Sequence, residues 1–132
     1  MLLDRRIFVA DVYLVSRRSR IYKNNNLVRQ ELEEDIIKFK KKGVVVILGD
    51  LNSRIADSMP SEGVTKSNTR ENKDKVLNDN GRAWIRLTRS TGMVTLTGLF
   101  GEADYTCYNV EGNSVPDHIC IDRRNKRPCK GP

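Results

Sequence analysis

Aromatic residues make up only 6% of this 132-residue chain, too few for the stacking platforms that hold single-stranded nucleic acid. The three cysteines, Cys107, Cys120 and Cys129, include no closely spaced pair. That argues against a zinc site and is expected of free thiols in a reducing compartment, cytoplasm or nucleus. No apolar run approaches the ~20 residues that cross a bilayer. The opening Met-Leu-Leu-Asp-Arg-Arg puts its charges after a short apolar start, with no long apolar core behind them, which does not suit a secretory signal. Membrane and secretory readings are set aside.

What is plentiful is positive charge. Lys and Arg number 24 against 17 Asp and Glu, a net +7, with a pI near 9.5 and a mean hydropathy of −0.55. Such an excess suits polyanions, nucleic acid first, though solubility alone accounts for it equally well. The length fits one domain able to bury roughly two-thirds of its unfolded surface.

Residues 7–15 are rich in β-branched and aromatic side chains and read as a strand. A basic loop with Arg17, Arg18, Arg20 and Lys23 follows, and Asn24, Asn25 and Asn26 offer caps for a helix. Val28, Leu32, Ile36 and Phe39 recur at helical spacing, with Glu31, Glu33 and Glu34 early, Lys38 and Lys40, Lys41 and Lys42 late, and Gly43 as the stop. Residues 44–48 form a continuous apolar run between glycines, the pattern of a central strand buried on both faces. Strand, helix and strand together predict a crossover unit.

Residues 53–74 read as a long surface loop. Asn78 or Asn80 caps a second helix, in which Ala83, Trp84 and Leu87 share a face before Gly92. Three strands are then expected, at 93–99, 105–109 and 115–121. The last residues, 122–132, form a basic tail behind a single domain over 1–121.

The sharpest local feature is Leu48-Gly49-Asp50-Leu51-Asn52. A buried strand ends at a glycine, and Asp50 and Asn52 then stand at its carboxyl end, the edge where open α/β sheets bind ligands. A carboxylate and an amide suit a hard cation such as Mg²⁺ (or Mn²⁺) and the aiming of water at phosphorus. They are equally ordinary turn residues.

The wider sequence resembles the endonuclease/exonuclease/phosphatase superfamily, most closely the retrotransposon-type endonuclease domain. The ordered pieces that carry the likeness are Val12-Tyr13-Leu14, the Glu-rich helix, the apolar strand into Gly49-Asp50-Leu51-Asn52, and Asn78-Asp79-Asn80-Gly81. After them come Thr91-Gly92-Met93, Tyr105-Thr106-Cys107-Tyr108 and Gly112-Asn113-Ser114-Val115-Pro116-Asp117-His118. The resemblance implies part of a four-layer α/β sandwich of the deoxyribonuclease-I type, truncated at both ends, and metal-dependent cleavage of nucleic acid, DNA above all. By it, Asp50 and Asn52 hold metal or phosphate and orient water, Tyr13 donates to the scissile phosphate, and Asp117 orients a catalytic histidine. A strand aromatic in the core is the plainer reading of Tyr13, and a water-exposed strand-entry carboxylate that of Asp117.

The sequence also departs from the family. The family's amino-terminal half supplies an Asn and the metal-binding Glu, and its closing Ser-Asp-His lies beyond a segment without a counterpart here. His118 stands where the family has tyrosine and is a candidate base, and Pro116 is expected to push its strand to a sheet edge. The isolated chain is therefore expected to be weakly active or inactive, with apolar sheet surface left open to self-association. A missing half, or a reverse transcriptase, would be partners within a longer product. Two rival readings remain: a phosphatase of the same superfamily, and a non-catalytic remnant binding nucleic acid through Arg17, Arg18, Arg20, Lys40, Lys41, Lys42 and residues 123–130.

Overall fold

The computed structural model describes residues 6–58 and 70–123. Their order is β1 (Ile7–Tyr13), α1 (Asn24–Lys40), β2 (Val44–Asp50), α2 (Asp79–Thr91), β3 (Met93–Thr95) and β4 (Asp117–Asp122). The strands form one mixed sheet in the order β1-β2-β4-β3. β1 and β2 run parallel, joined through α1, while β4 runs antiparallel to both β2 and β3. This is an α/β fold, with the helices over one face of the sheet.

The core lies between helices and sheet. Leu32 and Ile36 of α1 and Trp84 and Leu87 of α2 meet Val12, Val45, Ile47, Met93 and Cys120, all buried. Trp84 donates its indole N–H to the Thr95 hydroxyl at 3.0 Å, so its large apolar body is buried without an unpaired donor. The opposite face carries Ile7, Val9 and Ile119 at 64, 62 and 51% exposure. The apolar run 44–48 is thus covered on one face only: Val45 and Ile47 are buried, while Val44, Val46 and Leu48 stay half-exposed.

Other expectations need correction. Asn24, Asn25 and Asn26 do not cap α1; Lys23 holds the cap position and lends no side-chain bond, so the glutamates fall mid-helix. Gly43 is required by crowding, since a Cβ there would overlap the Arg6 carbonyl. Asn78 does cap α2, accepting from Gly81 N–H at 2.7 Å, and Gly92 ends that helix in the left-handed region. The strand expected at 93–99 stops at Thr95, and 105–109 contributes only an isolated bridge between Cys107 and Ser114. Pro116 does not force an edge, because it precedes β4, which lies inside the sheet; its carbonyl accepts from Leu51 N–H at 3.1 Å. The ends of the expected surface loop 53–74 are buried at Ser53, Ile55, Arg70, Asn72 and Asp74. Most of the basic tail, 124–132, lies outside the described residues.

Candidate active site

The site is built where β2 runs out. Gly49 has φ 141°, and a Cβ there would overlap the Val12 carbonyl oxygen, so only glycine lets the two strands approach this closely. Asp50 closes the strand, and Asn52 follows at φ 44°, a left-handed conformation that asparagine tolerates better than most residues. The turn is locked twice. Asn52 N–H donates to Asp50 Oδ1 at 3.1 Å, and Asn52 Nδ2 donates to the Leu14 carbonyl at 2.5 Å. No described residue donates to Asn52 Oδ1.

Register then assembles a row across three strands. Tyr13 is aligned with Asp50, and Asp50 with Asp117; aligned residues share a face of the sheet. Tyr13 is 64% exposed on the open face, and both aspartates are half-buried. Burial raises the Asp50 pKa; the Asn52 N–H bond opposes this, and the charge of Asp117 pushes it further up. Beside the row lies a cavity of about 630 Å³, lined by both aspartates together with Leu48, Gly49, Leu96, Thr97, Thr106, His118 and Ile119.

His118 turns to the covered side and is only 3% exposed. Its Nε2 lies 2.6 Å from the Ser53 carbonyl and its Nδ1 2.5 Å from the Thr97 hydroxyl. A carbonyl only accepts, so Nε2 carries the proton and Nδ1 accepts from Thr97. Burial drives its pKa from 6.5 down to about 4, against the favourable Ser53 bond. Both ring nitrogens are occupied, and at neutral pH the ring is uncharged.

Two polar networks that the sequence did not reveal hold this edge. In the first, buried Asn25 accepts from Val15 N–H at 3.0 Å and returns its Nδ2 to the Val15 carbonyl at 2.8 Å. Asn80 Nδ2 donates to the carbonyls of Val15 and Asn52, both at 3.2 Å, and Asn78 Nδ2 to Asn52 at 3.3 Å. These amides tie the ends of β1 and β2 to the amino-terminal turns of both helices.

The second network is charged. Asp74, 2% exposed, takes a two-pronged bond from Arg54 at 2.8 and 2.9 Å and a third from Val115 N–H at 2.9 Å. Burial alone would raise the Asp74 pKa, but Arg54 and the backbone donors outweigh it and the net shift is downward. Arg70 donates to the carbonyls of Ser58, Thr95 and Thr97. Along this segment Arg70, Asn72 and Asp74 are buried and Glu71 and Lys73 exposed, an alternation that five polar residues in a row do not signal in sequence.

The basic candidates fall into two groups. Arg17 and Arg18 lie just beyond β1, paired with Asp79 at 3.3 Å and Glu111 at 3.4 Å and largely exposed; Arg20 is exposed beside them. Lys40, Lys41 and Lys42 lie at the other end of α1, a helix of 17 residues and so about 25 Å long. Lys40 donates to the Thr91 carbonyl and Lys42 sits over the Phe39 ring. The two groups cannot line one compact site.

Among the described residues no cluster of three or more His, Cys, Asp or Glu side chains could hold a metal. Asp50, Asp117 and the amide oxygen of Asn52 are nonetheless hard oxygen donors, and Mg²⁺ accepts one or two carboxylates with water completing its shell. Burial, and then the charge of Asp117, make ionised Asp50 costly, and a divalent cation relieves both, so the donor set fits such an ion.

No family model matches the sequence, and no curated protein matches it either. Among solved structures the chain is similar to a 3'-5' exonuclease (NExo) from Neisseria meningitidis, with a TM-score of 0.58 and 21% sequence identity. The match covers 89% of this chain and 49% of that one. What the two share is a fold. This chain spans about half the length of that exonuclease structure.

Proposed function

We propose that this chain carries one side of a metal-dependent phosphodiesterase site acting on nucleic acid, DNA above all, with Asp50 and Asp117 as its central carboxylates. The observation that supports it most is the Tyr13–Asp50–Asp117 row at the carboxyl edge of the sheet, in a fold shared with an exonuclease. Mg²⁺ or Mn²⁺ would be held by Asp50 and Asn52, with Asp117 adjoining; when bound, it neutralises charge on the phosphate and lowers the pKa of water. Asp50, whose pKa is raised by burial and then by the charge of Asp117, orients the attacking water. Exposed Tyr13 donates its hydroxyl to a phosphate oxygen. Asn52, pinned by Leu14, presents its Oδ1 without rearrangement.

The histidine leads to a second reading. With both nitrogens of His118 engaged, no imidazole among the described residues is free to take the proton from water. Lacking a general base typically costs ~10²–10⁴-fold. The isolated chain then binds nucleic acid and metal but hydrolyses weakly.

Titration with Mn²⁺, followed by paramagnetic broadening in amide spectra, tests the metal assignment. Selective broadening at Asp50, Asn52 and Asp117, lost in Asp50→Asn, is expected; broadening elsewhere, or none, overturns it. Plasmid relaxation with Mg²⁺ and with EDTA reports the chemistry. Slow Mg²⁺-dependent nicking abolished in Asp50→Asn is expected, whereas nicking that survives the substitution removes Asp50 from the mechanism.

A further inference from the structure

Away from the sheet, α1 and α2 enclose a groove of about 350 Å³. One stripe of each helix lines it: Asn26, Arg29 and Glu33 from α1, and Ala83, Arg86 and Ser90 from α2, at the three- and four-residue spacing that places side chains on one face. Arg29 is half-buried, its guanidinium fixed by two amide oxygens, Asn26 Oδ1 at 2.8 Å and Asn80 Oδ1 at 3.3 Å. Neither partner is an anion. Arg86 makes no ion pair or hydrogen bond with any described residue. The one carboxylate in the groove, Glu33, accepts from Ser90 at 2.8 Å. Burial lowers the Arg29 pKa; Tyr22 opposes this, and the charge of Arg86 adds a smaller push downward. Two crowded guanidiniums with no carboxylate bonded to either form a cradle for an external anion.

Polar contacts link the groove to the turn that follows β2. Arg82 lies one turn before Arg86 and lines a neighbouring cavity of about 280 Å³ together with Arg17, Asn52 and Asn80. Asn80 joins the two regions directly, accepting from Arg29 and donating to the Asn52 carbonyl. Arg82, Arg86 and Arg89 form an exposed stripe along α2.

We propose that the groove between α1 and α2 holds the sugar-phosphate backbone of a nucleic acid strand extending from the candidate active site, with Arg29 and Arg86 each taking a phosphate. The inference rests on the nucleic-acid reading above. Arg29 is preorganised by its amide partners, so little side-chain freedom is lost on binding. Arg86 supplies the second guanidinium, and Asn26 a neutral donor at the mouth.

The test is fluorescence anisotropy of labelled single- and double-stranded DNA across a salt series in EDTA, where hydrolysis cannot contribute. Arg86→Gln, an exposed and unpartnered position, is expected to fold normally. It should weaken binding and reduce the slope of log K against log salt by about 0.9 for duplex or about 0.7 for single strands. Lys38→Gln, which removes the same charge outside the groove, should leave the slope unchanged. An unaltered slope in Arg86→Gln, or an equal loss in Lys38→Gln, overturns the proposal. So does binding of inorganic phosphate alone, seen as shifts of the Arg29 and Arg86 side-chain N–H signals, with no response to DNA. Groove-dependent DNA binding without any Mg²⁺-dependent nicking would refute the catalytic reading while leaving this one standing.

Discussion

The two faces of the sheet are made of similar residues and sit in different environments. On β2, Val45 and Ile47 are 4% and 0% exposed under the helices, whereas Val46 and Leu48 look the other way and stay half-exposed. On β1, Val12 is buried at 7% while Val9 is 62% exposed. Apolar character therefore does not distinguish the faces; helix packing does. The covered face supplies stability, and the open face ends in the Tyr13–Asp50–Asp117 row to which the proposed chemistry is assigned.

The largest expected effect comes from the covered face. Ile47→Ala, deleting a fully buried side chain, should cost about 2–5 kcal/mol in denaturant unfolding. If Val46→Ala cost as much, the open face would be covered in solution and the contrast would fail. Asp74→Ala should approach the same size, about 3 kcal/mol, because it strands Arg54 and the Val115 N–H beneath the site.

Acid offers a third test. The folded pKa of His118, about 4, lies below its unfolded 6.5, so between these values the unfolded chain binds more protons. Stability is full above pH ~6.5 and falls as pH drops toward 4, by about 3 kcal/mol in all. Asp50 acts in the opposite sense, since its raised pKa makes ionisation costly and acid relieves it. The lowered pKa of Asp74 matters only below its unfolded value near 3.8. Stability measured against pH in the wild type and in His118→Asn should show the slope between pH 6.5 and 4 largely vanish in the variant. An unchanged slope would mean that His118 is solvated.

The smallest effects belong to the open face. Val9→Thr with Ile119→Thr should change unfolding stability by no more than about 0.5 kcal/mol each, and should reduce concentration-dependent association in sedimentation. Asp50→Asn should slightly raise the melting temperature while abolishing metal binding, because it removes a half-buried charge and its repulsion from Asp117 and keeps an acceptor for the Asn52 N–H.

Much of the framework was legible in the residues. Periodicity marked α1, the apolar run marked β2, and α2 was bounded by a cap at Asn78 or Asn80, of which the structure uses Asn78, and by Gly92, since each of these signals is local. The turn after Gly49 was legible for the same reason. Asn25 was misread as a cap because its partner, Val15, lies ten residues away in sequence. The described ends of the segment 53–74 were misread as surface because the buried bonds of Arg70 and Asp74 reach residues 25 to 41 positions away. Asp117-His118 was a single motif on paper, but adjacent strand residues face opposite ways, so Asp117 meets Asp50 while His118 turns toward Ser53.

By itself the sequence determined both helices, the strands β1 and β2, and that a carboxylate and an amide stand where β2 ends, because these depend on contacts within a few residues. Only the tertiary structure decided that β4 inserts beside β2, that Tyr13, Asp50 and Asp117 stand in one row, that His118 is sealed inside, and which sheet face the helices cover. Those outcomes depend on strand order and register, which bring together groups 37 to 75 residues apart along the chain, and no local pattern encodes such a pairing.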